Sequence, residues 1–193
     1  MNGNMGYHKG DVKQNAVNIA FAIVQGEGGK KLTMRHLADE IGISHTALYR
    51  HYKNKDAVLL QVATKGFKQL MLKMAACLKV PDKASAEQLS DASLAYVEFA
   101  MQHAEIYRLM NGGFVQNDAA NVELSALSNQ MFEILKIIIL KGQAEGAFKK
   151  DDVDMMGFAL WSMLHGYVEL ILRGRERDDA EAAVQLLISA VKV

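Results

Sequence analysis

The sequence predicts an all-α protein of about nine helices, on three observations. Apolar residues recur at the three- and four-residue spacing of a helix face in segment after segment. Half of the residues are hydrophobic and only one is proline, so little interrupts a helical run. Residues that open helices, such as Thr33, Ser44, Asn54 and Asp152, stand in front of those runs, and glycines follow several of them.

Residues 1 to about 9 read as a loose tail containing Tyr7 and Lys9. From Asp11, the spacing of Val12, Ala16, Ile19, Ala20, Ile23 and Val24 predicts a first helix, ended by Gly26, Gly28 and Gly29. Thr33 caps a second helix with Leu37, Ala38 and Ile41 on its inner face, and Gly42 sits where the chain turns with little room for a side chain. Ser44 caps a third, in which Ala47 and Leu48 face inward while His45, Thr46, Tyr49, Arg50 and His51 are left outside; Tyr52 reads as core. Two short helices about a tight turn form a helix-turn-helix, whose second helix lies in the DNA major groove while the first crosses the backbone.

Asn54, with Asp56 in the first turn, opens a fourth helix to about Lys79 that carries Val58, Leu59, Val62 and Leu70. It begins beside the reading helix and ends in the body, as a lever between them would. Val80-Pro81-Asp82 breaks the chain. Ser85 with Gln88 resembles a capping box and opens a helix through His103. A short helix from Glu105 to Asn111 follows, ended by Gly112 and Gly113. Asn117 or Asp118 opens a long helix to about Glu145, closed by Gly146; its Met131–Leu140 stretch is apolar on nearly every side and is expected at the centre. Asp151 or Asp152 opens the next, to about Leu172, and Asp178 or Asp179 the last, through Val191. Two domains result: residues 1–55, tail and three-helix helix-turn-helix, and residues 56–193, a larger helical ligand-binding and dimerisation domain.

The formal net charge is zero, but its distribution is uneven. Residues 1–55 hold eight cations against four anions, hence +4, and the remainder carries −4. A basic head on an acidic body fits a phosphate-binding module joined to a different domain, with random scatter as the bland alternative. The lone Cys77 forms no internal disulfide, and MNGNMGYHKGD has no apolar leader segment, so a reducing cytoplasm is expected. The longest charge-free apolar run, Met155 to Val168, falls short of the roughly 20 residues that span a bilayer, so no membrane partner is expected. There is no glycine-rich phosphate loop after a strand, no acid pair at catalytic spacing and no nucleophile elbow. Catalytic residues, cofactors and metal ligands are therefore expected to be none.

Leu37-Ala38, Ile41-Gly42-Ile43-Ser44, Ala47-Leu48-Tyr49-Arg50-His51-Tyr52 and Asn54-Lys55-Asp56 together resemble the "LA..GIS...LY.HF..K" pattern of the TetR family of transcriptional regulators. The resemblance implies that Thr33, Tyr49 and Lys55 grip the DNA backbone. By residue type, Thr33, Tyr49, Lys53 and Lys55 can donate to phosphates, which fixes register without reading sequence. His45 and Thr46, with Arg35 and Ser44 as further candidates, are the expected base readers at the exposed start of the third helix. Arg50 and His51 complete the candidate DNA-binding set, although His45 and His51 also read as ordinary exposed histidines.

Trp161-Ser162-Met163-Leu164-His165-Gly166 resembles the Trp-x-x-x-His-Gly motif of one C-terminal subfamily, the WHG domain. Met155, Phe158, Trp161, Leu164, Val168, Leu170, Ile171 and Leu172 wrap most of that helix, so one side is expected to be covered by a second subunit. The candidate dimer interface is Phe158, Gly166, Val168, Ala183, Leu186, Leu187 and Ala190, with a purely intrachain core as the alternative. Eleven methionines suit a pliable ligand cavity. Its candidates are Phe67, Met71 and Met74 on the fourth helix, Tyr96, Phe99 and His103 on the fifth, Tyr107, Met110 and Phe114 after it, and Met131, Leu135, Trp161 and His165 beyond; each also reads as plain core. This mixture suits a mainly apolar molecule with one or two polar atoms. The sequence thus predicts a homodimeric repressor released from a palindromic, double-stranded DNA operator by a small-molecule effector. The alternative is a helical ligand-binding or protein-interaction module with little DNA affinity.

Overall fold

In the computed structural model the described residues are 9–80, 82–112, 122–174 and 179–193, with residues 9–11 described by their backbone alone. Tyr7, the Lys9 side chain, Pro81, Gly113, Phe114, Asn117, Asp118 and Asp178 lie outside them. Nine α-helices stand among the described residues: α1 Lys9–Glu27, α2 Met34–Ile41, α3 His45–Tyr49, α4 Lys55–Ala76, α5 Ser85–Gln102, α6 Ala104–Asn111, α7 Val122–Ala144, α8 Val153–Leu172 and α9 Ala180–Ser189. A 3-10 turn, Cys77–Lys79, extends α4, and the only β pairing among these residues is an isolated bridge between Phe148 and Lys192. Two compact units form, one within Met1–Gly66 and Glu105–Asp118, the other within Phe67–Ala104 and Ala119–Val193. The division falls inside α4, after Gly66, whereas the sequence places the boundary after Lys55.

In the first unit α1 packs against α2 and α2 against α3. The predicted face of α1 is buried except for Ile19, which is half-buried; Val17 and Phe21 join it because the buried stripe is wider than the spacing suggests. Met34, Leu37, Ala38 and Ile41 bury the inner face of α2. Ile106, Tyr107 and Met110 of α6 are buried in this same unit.

The second unit is organised about α5, which packs against α7, α8 and α9. Leu89, Ala92, Tyr96, Val97, Phe99 and Ala100 give α5 contact surface on several sides, and its small residues admit close neighbours. The capping box expected at its start does not form. Ala84 holds the cap position without a side-chain bond, and Ser85 and Gln88 are buried. The Ser85 N–H donates instead to Glu145 Oε2 at 3.2 Å, and Ser85 beside it holds the Glu145 carboxyl below the usual carboxylate range. The Gln88 amide donates to the Cys77 carbonyl at 3.3 Å and accepts from Lys141 Nζ at 3.0 Å. Long-range partners have displaced the local cap.

Asp152 and Asp179 cap α8 and α9, accepting from the N–H groups of Met155 at 2.7 Å and Ala182 at 2.9 Å. The Met131–Leu140 stretch is only partly central, because Ile137 and Leu140 are exposed. The apolar run expected to be too short for a bilayer sits in a 20-residue helix, α8, that is long and apolar enough to cross one by length and composition. Here α8 packs against α5, α7 and α9.

Gly142 of α7 is where the tightest contact occurs. A Cβ there would lie 2.1 Å from Cδ2 of the fully buried Phe148, which returns against the helix just beyond its end. Overpacking of this kind costs on the order of 1–3 kcal/mol or more. Gly142→Ala should therefore lower the denaturant midpoint of the chain clearly, and Gly142→Ala combined with Phe148→Leu should recover part of the loss; an unchanged midpoint for the single variant would contradict the packing described.

Candidate nucleic-acid interface

α2 and α3 are set by local chemistry. Thr33 Oγ1 accepts from the His36 N–H at 3.1 Å and opens α2. Gly42, at φ 77° and ψ 31°, closes it in the left-handed region that glycine enters without strain, its N–H shared between the carbonyls of Ala38 and Asp39. Ser44 Oγ then accepts from the Ala47 N–H at 3.1 Å and opens α3. Leu48 is the one fully buried residue of α3, and Ala47, expected inside, is half-buried.

The outward face holds most of the residues expected there. His45 and Thr46 are exposed, and Tyr49 is 46% exposed with its ring edge-to-face against His45 at 4.8 Å. Thr33, Arg35, Ser44, Arg50 and Lys53 are exposed, while His51 and Lys55 are half-buried. Among the described residues, Arg35, Arg50 and Lys53 pair with no carboxylate. In the second unit Lys68 pairs with Glu123, Lys83 with Asp91, Lys136 with Glu133 and Asp154, and Lys141 with Glu145, while Lys73, Lys79, Lys149, Lys150 and Lys192 pair with no carboxylate among the described residues. Uncommitted cations beside an exposed helix make a surface for a polyanion.

Two residues tie this surface down. Lys55 Nζ donates to the Lys30 carbonyl at 3.1 Å, fixing the start of α4 to the turn after α1. Tyr52, standing where the family pattern has phenylalanine, donates its hydroxyl to the Lys13 carbonyl of α1 at 3.0 Å, and burial pushes its pKa up. Periodicity marks Tyr52 as core and gives no sign of this bond, because its acceptor lies far off in sequence.

The ligand candidates separate. Met74, Tyr96, Met131, Leu135 and Trp161 come together around a crevice of about 10 Å³, joined by Leu164, a residue outside the expected ligand set. That is room for roughly one water, so this crevice as it stands holds no larger molecule. His165 Nδ1 lies 3.3 Å from the Tyr96 hydroxyl. His103 stacks on Phe99 at 4.9 Å, and burial, followed by the nearby Lys73 charge, holds its pKa below the ordinary histidine value. Phe67 and Phe99 are buried core and Met71 is half-buried. Tyr107 and Met110 are buried on α6, which belongs to the first unit.

Of the interface candidates, Phe158 is 64% and Leu186 74% exposed. Ala190 and Gly166 are exposed, the latter with no atom within 4 Å of a built Cβ, and Ala183 and Leu187 are half-buried. Val168 is corrected: at 0% exposure it packs inside its own unit, since helical spacing marks an apolar position without saying which neighbour covers it.

Comparison with known proteins agrees with this architecture. A family model described as bacterial regulatory proteins, tetR family, matches residues 19–62, and one described as tetracyclin repressor-like, C-terminal domain, matches residues 89–191. The nucleoid occlusion factor SlmA of Salmonella dublin is 21% identical over 184 residues, 91% of each chain. A solved structure of a protein of unknown function from Rhodococcus sp. RHA1 aligns with a TM-score of 0.84 at 23% identity, over 98% of this chain and 100% of that one. The TetR family transcriptional regulator PfmR of Thermus thermophilus aligns at 0.72 and 24%, over 90% and 97%. At these identities the structural likeness is one of fold; the Trp-His-Gly subgroup rests on the motif alone.

The Tyr52 bond has a measurable consequence. Tyr52→Phe keeps the ring and removes only the hydroxyl, so unfolding free energy should fall by about 1 kcal/mol, the usual net worth of such a bond. Amide exchange in α1 near Lys13 should quicken alongside. A variant as stable as the parent, with unchanged exchange, would show that the bond contributes nothing.

Proposed function

The chain belongs to the TetR family of bacterial regulatory proteins and is a DNA-binding transcriptional regulator of that type, and we propose that it is a homodimeric repressor released from a palindromic operator by a small apolar molecule. The observation that carries the DNA reading is the outward face of α3, where His45, Thr46 and Tyr49 stand exposed beside Arg35, Arg50 and Lys53, three cations that pair with no carboxylate among the described residues. In this reading Thr33, Tyr49, Lys53 and Lys55 bind phosphates and set register. His45 and Thr46, flanked by Arg35 and Ser44, meet base edges, and Arg50 and His51 lie beside the groove. Two such helices face two half-sites, which requires a twofold partner. The exposed apolar side chains of Met155, Phe158, Leu170 and Leu186 support a dimer built on α8 and α9, since a surface of this kind is costly to leave in water. The effector acts by preferring the state in which the reading helices no longer match the half-sites, and only a difference in affinity between the two states has that effect. No catalytic step is assigned to the chain, and its place of work is the cytoplasm.

Binding to operator DNA should weaken steeply with salt, because each neutralised phosphate releases a counterion. Tyr49→Phe and Lys53→Ala should weaken binding to all sequences about equally, with Lys53→Ala lowering the salt slope by about 1. His45→Ala and Thr46→Ala should instead blur preference at particular base pairs. Equal loss on every sequence for the second pair would overturn the assignment, and little DNA affinity even at low salt would favour a ligand-binding module. Sedimentation should find a dimer at micromolar concentration that Phe158→Asp turns into a monomer with weakened operator binding; a monomeric parent chain would remove the proposed interface.

A further inference from the structure

We propose that a cleft between α1 and α4, outside the helix-turn-helix, seats a backbone phosphate of the operator on Lys13 and His51. This deepens the DNA-binding reading and rests on it. The cleft is open and holds about 380 Å³; it brings Lys13 and Gln14 of α1 together with His51, just after α3, and Gln61 of α4, over Val17 and Leu60. All of these residues lie in the first unit. Lys13 is exposed and pairs with no carboxylate among the described residues. None of the described side chains that line the cleft is acidic.

The walls are held in place by bonds within the unit. Tyr52, at the edge of the cleft, donates its hydroxyl to the Lys13 carbonyl at 3.0 Å, which ties the backbone of α1 to the end of the reading helix. Gln14 Nε2 donates to Asn18 Oδ1 at 3.3 Å, and the same oxygen accepts from Lys65 Nζ at 2.7 Å. Lys65 also sits 4.7 Å over the Phe21 ring, so it is engaged inside the unit, and Lys13 is the lysine that lines the cleft. A nucleic-acid backbone asks for donors at its phosphate oxygens and accepts carbon beneath its sugar. The ammonium, the imidazole and two amides supply the donors, and Val17 and Leu60 supply the carbon. An apolar or cationic molecule would leave the ammonium unanswered. Continuity names the occupant: His51 follows α3 directly in the chain, so the cleft extends the surface that α3 offers, and the phosphate that reaches it belongs to the duplex that α3 reads. Such a contact fixes register without reading sequence.

Phosphate ethylation interference on an operator selected by the full-length chain tests this, with each variant compared with the parent. Ethylation at one phosphate of each half-site should weaken the parent through this cleft. In Lys13→Ala that phosphate should drop out of the pattern, base preference should stay, and the salt slope should fall by about 1 for each subunit. His51→Ala should weaken the effect at the same phosphate, whereas Lys53→Ala should lose a different one. Lys13→Arg should restore the parental pattern. Lys13→Ala with the parental pattern and slope, or loss of different phosphates in Lys13→Ala and His51→Ala, would overturn the proposal and leave the DNA reading standing. A parent chain with no affinity for DNA even at low salt would overturn both.

Discussion

A helix of five residues makes too few internal hydrogen bonds to hold itself in water, so α3 exists only because its surroundings fix it. Leu48 supplies the one buried anchor, Ser44 satisfies an opening N–H, and the left-handed Gly42 sets the angle at which the chain leaves α2. With one side chain spent on the interior, nearly all the others are left outside. A helix that presents so much of its surface to a partner must be held from its ends and from beneath. The bonds from Tyr52 to α1 and from Lys55 to the turn after α1 serve that need. The exposed face of α3 is thus a product of rigid support, not of the intrinsic stability of the helix that carries it.

Charge is unevenly placed along the chain. In the second unit Lys68, Lys83, Lys136 and Lys141 lie against glutamates and aspartates, and paired surface charges of this kind add little stability while cancelling one another's field. Around α3 the cations have no such partners, and their field remains available to a polyanion. A net charge of zero for the whole chain therefore conceals a basic head, and the partition matters more than the sum.

What was legible in the sequence was what local chemistry decides. Thr33, Ser44, Asn54, Asp152 and Asp179 each cap the helix they precede, because a cap is a contact between residues three apart. The helix-turn-helix and its exposed face follow from the same short range. What was not legible depended on distant partners. Ser85 and Gln88 have the spacing of a capping box, yet Glu145, Lys141 and Cys77 claim them. Gly142 looks like any helical glycine until Phe148 returns against it. Val168 shows the limit of periodicity: it marks a side chain as apolar, and only the fold says which neighbour covers it. The ligand set was least legible, because a methionine or aromatic ring has the same pattern whether it lines a crevice or fills a core.

The central claim is that two copies of this chain hold two exposed α3 helices against one duplex. Selection of bound fragments from random genomic DNA by the full-length chain tests it most directly. The account predicts enrichment of a short inverted repeat whose half-sites are spaced for two helices on one face of the duplex. Retention of DNA without any enriched sequence, or enrichment of a single unrepeated half-site, would contradict it.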